Sequence, residues 1–91
     1  MITILLQFYN LSKIYFENKT PEEARIILDR AIEKFPEEPN ILYLSGITHY
    51  RLGNKKKAVS EIQKAYQITE DSILLNLYLL MEKGEKIEEN R

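Results

Sequence analysis

Ninety-one residues set the scale of one domain with a modest core, because a chain this short buries only about two-thirds of its unfolded surface. With 44% hydrophobic and 30% charged residues it reads neither as a disordered tail nor as a membrane protein, and a net charge of −1 offers nucleic acid or an anionic membrane no general attraction. Cysteine is absent, which excludes disulfides, thiol catalysis and thiolate metal sites without fixing the compartment.

The opening stretch, MITILLQFYNLSKIYF, is apolar, yet it lacks a basic leader and a small-residue cleavage site, and Gln7, Asn10 and Lys13 interrupt it. It reads as a core helix from about Ile2 to Glu17, with Leu5, Phe8, Leu11, Ser12 and Tyr15 on one stripe. No run approaches the roughly 20 apolar residues of a membrane span. The expectation is a soluble, cytoplasmic domain.

Thr20 is a good N-cap, Pro21 suits the first helical position and Glu23 completes a capping box, so a second helix starts here. Its apolar face is Ala24, Ile27, Leu28, Ala31 and Ile32, and it ends at Phe35-Pro36. A third helix follows from about Asn40 to Leu52, with Gly53 as a left-handed stop and Asn54 as the next cap. The fourth runs from about Lys55 to Thr69 on a stripe of Ala58, Val59, Ile62, Ala65 and Tyr66. Asp71 or Ser72 then caps a fifth, from Ile73 to about Lys83. The connections are short, so neighbouring helices are antiparallel.

An internal period ties these helices together. Ala24 and Ala58, Ala31 and Ala65, and Tyr9 and Tyr43 are each separated by 34 residues, and residue type carries over from Phe8 to Leu42, Ser12 to Gly46 and Leu28 to Ile62. The chain resembles the tetratricopeptide-repeat family, whose signature is this helix–turn–helix period. Phe8, Leu11, Ser12, Tyr15, Ala24, Leu28, Ala31 and Pro36 match its positions in the first copy. In the second, Leu42, Gly46, Gly53, Ala58, Ile62 and Ala65 do. Ser45 stands in place of an aliphatic residue, His49 in place of an aromatic, and Glu70 in place of the closing proline.

The fold expected is all-α: about five helices, in antiparallel pairs stacked as a short right-handed α-solenoid. Repeat one covers about 5–38, repeat two 39–72, a partial or capping helix 73–84, and a polar tail 85–91. Ser12 and Gly46 let the first helix of each pair lie close to the second, and Ala24/Ala31 and Ala58/Ala65 remove bulk on the facing side. Leu80 falls where Ser12 and Gly46 stood, so a third repeat is not completed. The fifth helix is apolar nearly all round, which suggests a cover. A symmetry mate, an exchanged helix and further repeats are the candidates, and Leu74, Leu77, Tyr78 and Met81 are the interface residues expected.

Chemistry finds little footing. His49 is the only histidine and has no histidine or carboxylate partner one turn away, so a packing role is favoured over a metal site. Glu22/Glu23, Glu37/Glu38 and Glu88/Glu89 fit capping and solvation better than acid–base work. Lys55-Lys56-Lys57 opens a helix, where cations are disfavoured, and reads as a solvated end rather than an anion contact. No catalytic residue, metal or cofactor is expected, and no nucleic acid or membrane partner.

The resemblance implies a concave face lined by the first helix of each pair. There it selects Tyr9, Lys13 and Phe16, then Tyr43, Ile47, Tyr50 and Arg51 as peptide-binding residues, with Leu74, Leu77 and Met81 continuing the face. Family members that clamp an acidic C-terminal peptide carry Lys and Asn where this chain has Tyr9 and Lys13, so that subclass is not expected. Two readings follow. One is a non-catalytic interaction module taking a partner's peptide or helix in a Tyr-rich groove; the other is a structural self-assembly module, a homodimer or helix-exchanged oligomer formed through the apolar fifth helix, with the same aromatic row serving that contact or packing further repeats.

Overall fold

Side chains that replace the missing first turn decide where the helices begin. The computed structural model describes residues 2–84, as α1 (Ile2–Asn18), α2 (Pro21–Lys34), α3 (Pro39–Arg51), α4 (Lys55–Thr69) and α5 (Ser72–Glu82). The polar tail expected at 85–91 lies outside the described residues. The Thr20 hydroxyl accepts from the Glu23 N–H at 3.3 Å while the Glu23 carboxylate accepts from the Thr20 N–H at 3.4 Å, a complete capping box. Asn54 accepts from the Lys57 N–H at 3.3 Å, and Asp71 from the Ile73 N–H at 2.9 Å. Glu38 caps α3 in the same way, with Pro39 at its first position.

The helices stop as the turn residues require. Gly53 has φ +84° between α3 and α4, the left-handed conformation that glycine adopts without penalty. Glu70, at the family's proline position, takes φ +57° and sends its N–H back to the Tyr66 carbonyl. The expected boundaries hold to within about a residue, as the fraying of helix ends allows.

Packing runs through successive neighbours: α1 on α2, α2 on α3, α3 on α4 and α4 on α5, with α1 also touching α3. One apolar cluster joins Ala24, Leu28 and Ala31 of α2 to Ile41 and Leu44 of α3. A second joins Leu42 and Ile47 of α3, Ala58, Ile62 and Ala65 of α4, and Leu74 and Met81 of α5. The small residues have the expected purpose. A Cβ placed on Gly46 would meet Ile62 Cδ1 at 2.5 Å and Cγ1 at 2.7 Å, so α4 lies where only glycine leaves room. Ser12, at the equivalent position of α1, is buried, and among the described residues neither its hydroxyl nor that of Thr48 finds a hydrogen-bond partner. Each such hydroxyl costs about 1–3 kcal/mol.

On the fifth helix, burial divides the expected interface residues. Leu74 and Met81, two turns apart, are buried against α4 and belong to its core cluster. Leu77 and Tyr78 are half-buried beside them, with the Tyr78 ring 6.4 Å from that of Tyr66. The uncovered apolar side chains of α5 are Ile73, Leu79 and Leu80, of which Ile73 is 71% exposed.

Candidate functional site

The first helix of each pair carries the row expected on the concave face, and burial divides it. Tyr9 and Phe16 of α1 are half-buried against the first cluster, Phe16 and Tyr50 against the second. Tyr43 is 37% exposed, and Lys13 and Arg51 are exposed. The Arg51 guanidinium lies 4.7 Å from the centroid of the Phe16 ring, so a cation–π contact bridges the two helix pairs. Ile47 stands apart from the row: at 1% exposure it fills the core between α3 and α4. Its neighbours Tyr43 and Tyr50, four residues before and three after, stay at the edge of that core.

On α3 a polar network lies buried where the pattern asks for apolar residues. The Ser45 hydroxyl donates to Glu61 Oε2 at 2.8 Å, and His49 Nδ1 faces Glu61 Oε1 at 2.6 Å. Ser45 Oγ also lies 3.2 Å from His49 Nδ1. The other ring nitrogen, Nε2, faces Asp29 Oδ1 of α2 at 3.5 Å, and Arg25 holds Asp29 Oδ2 at 3.0 Å. His49 is 3% exposed and Glu61 8%, so the central pair is screened little by water.

This constellation contains a serine, a histidine and a carboxylate, yet it is not wired for nucleophilic catalysis. Activation needs the hydroxyl on one ring nitrogen and the carboxylate on the other. Here both crowd Nδ1, and the Ser45 hydroxyl is fully buried. The arrangement is a buried histidine–carboxylate contact with a hydroxyl satisfying the remaining carboxylate oxygen. Among the described residues, no three His, Cys, Asp or Glu side chains converge as a metal cage, and no helix is long and apolar enough to cross a membrane.

Two profiles of one family, described as the tetratricopeptide repeat, match residues 8–38 and 39–72 and together span most of the chain. The chain belongs to the tetratricopeptide-repeat family. No curated protein and no solved structure matches it. Tetratricopeptide repeats are, as a family, protein–protein interaction modules.

Within the tetratricopeptide pattern, the buried network acquires a position. Ser45 and His49 are the two α3 residues that depart from the family's apolar types, and they contact each other. Their partners come from the second helix of the first repeat (Asp29) and of the second repeat (Glu61), so the network crosses the boundary between the two matched repeats. Glu61 and Asp29 were not singled out by sequence reasoning. The missed signal is that Glu61 lies at the period of Ala58, Ile62 and Ala65 and therefore faces α3. At the other end of α4, Lys55, Lys56, Val59 and Glu82 line an open cleft of about 420 Å³. Lys55, Lys56 and Lys57 are all exposed, in keeping with a solvated helix end.

Proposed function

We propose that this tetratricopeptide-repeat chain is a non-catalytic interaction module that takes a peptide or helix of a partner protein on the face formed by Tyr9, Lys13, Phe16, Tyr43, Tyr50 and Arg51. The observation that carries the reading is the continuity of this row across both repeats. Aromatic rings held at the core's edge present rigid, amphipathic surface at little entropic cost, and two exposed cations flank them. Selection from a displayed peptide library, followed by Tyr43→Ala, tests it. The substitution truncates an exposed side chain, so it should leave folding intact and weaken the selected peptide about tenfold or more, as loss of an aromatic anchor does. Unchanged affinity would place binding elsewhere.

Self-assembly is the second reading, favoured by the uncovered Ile73, Leu79 and Leu80 on α5. Sedimentation of the wild type beside Leu79→Glu/Leu80→Glu separates the two readings. An oligomer that becomes monomeric on substitution supports self-assembly through α5, and a monomer in both cases rules it out.

A further inference from the structure

We propose that the outward side of α4 is a second interaction surface, on which Lys56, Lys57 and Lys64 take a short acidic stretch of a partner polypeptide. The helix holds four lysines and one glutamate. That glutamate, Glu61, is turned inward at 8% exposure and is engaged by Ser45 and His49. Lys56, Ser60, Gln63, Lys64 and Gln67 share the opposite side at helical spacing, with Lys57 beside them, and all six are exposed. No carboxylate of α4 stands among them. Glu82 of α5 lines the cleft with Lys55 and Lys56, yet among the described residues no ion pair holds any of the four lysines.

The internal period shows how this face differs from its counterpart in the first repeat. At an offset of 34 residues, Glu22, Glu23, Asp29 and Glu33 of α2 correspond to Lys56, Lys57, Gln63 and Gln67, while Arg30 remains basic as Lys64. Every acid of α2 is thus replaced by lysine or glutamine. The exchange works against the helix itself, because the amide dipoles at its start favour anions such as Glu22 and Glu23 and disfavour Lys56 and Lys57. Stability of the fold does not account for it, and complementarity to an anionic partner does. From Lys56 to Lys64 the face runs about 12 Å, a length that about four extended residues of a partner cover. A long polyanion such as nucleic acid would also meet the rest of a chain whose net charge is −1. This surface lies on the second helix of its repeat and the concave face on the first helices, so the inference stands independently of any partner there.

Fluorescence anisotropy of a labelled oligo-glutamate peptide tests it. Saturable binding to the wild type is expected, weakening several-fold as salt rises from about 50 to about 200 mM. Lys56→Glu/Lys57→Glu, which restores the residues of α2, should weaken binding about tenfold or more while melting no lower than the wild type, because the same change suits the start of the helix. Lys19→Glu/Lys34→Glu makes an equal change of charge on exposed residues elsewhere and should bind within about twofold of the wild type. Absence of binding overturns the proposal, as does equal weakening by the two variants, which would assign the attraction to the charge of the chain at large. An oligothymidylate of equal charge that binds as tightly as the peptide overturns the choice of partner. So does a dimer in sedimentation that Lys56→Glu/Lys57→Glu dissolves, since a second copy would then occupy the face.

Discussion

Gly46→Leu is expected to cost about 3 kcal/mol or more, a large part of what a domain of this size has to lose. The reason is local and one-sided. A Cβ alone would come within 2.5 Å of Ile62 Cδ1, and the backbone carbonyl of Ala58 lies 3.4 Å away, so the three further carbons of leucine have no room unless α4 moves off α3. Gly46→Ala should cost far less, about 1 kcal/mol. Ile62 must shift at both Cγ1 and Cδ1, but alanine adds a single carbon and recovers about 1 kcal/mol of helix preference over glycine. The size-swapped pair Gly46→Leu/Ile62→Ala should regain part of the loss of the single variant, since the two sites share one space. Urea midpoints at constant slope report all three. A Gly46→Leu variant as stable as the wild type would mean that the helices do not meet here.

His49→Leu is expected to cost about 3 kcal/mol, because among the described residues it leaves the buried Glu61 carboxylate only the Ser45 hydroxyl as partner. In a chain of this length that lowers Tm by roughly 15 °C. The triple variant Ser45→Ala/His49→Leu/Glu61→Leu should behave differently. It replaces the whole polar set by apolar groups of similar size, as the family pattern has at two of these positions, and should melt at or above the wild-type temperature. Thermal unfolding of the single and triple variants separates the two halves of the argument. If the single variant melts with the wild type, the network contributes nothing. If the triple variant melts as low as the single one, the polar set is stabilising in its own right.

The fold was legible because its signals are local or strictly periodic. Thr20 and Glu23 announce a capping box three residues apart, Gly53 and Asn54 mark a corner, and the alanines at 24, 31, 58 and 65 repeat at one offset. Which of the expected site residues stay exposed was legible only where one helix determines it. Tyr43 and Arg51 stay on the surface, as their place on α3 implies, but Ile47 does not, because its burial depends on how far α4 and α5 wrap round. The burial of Leu74 and Met81 is hidden for the same reason: an all-apolar helix does not say which of its faces meets the core. The Glu61–His49 pair joins residues 12 positions apart on different helices, and no periodicity along α3 alone exposes it. The departures at Ser45 and His49, one turn apart, were the visible half of that pair.

The Asp29–His49 contact also bears on how freely these units can be rearranged. Helical repeats are often handled as interchangeable bricks whose junctions depend only on shared apolar positions. Here the second unit carries a histidine whose outer carboxylate belongs to the first. Transplanted behind a standard unit, it would arrive with a ring nitrogen facing whatever side chain replaced Asp29. Grafts, circular permutations and consensus designs built from this chain therefore have to move residues 25, 29, 45, 49 and 61 together, as one inherited joint.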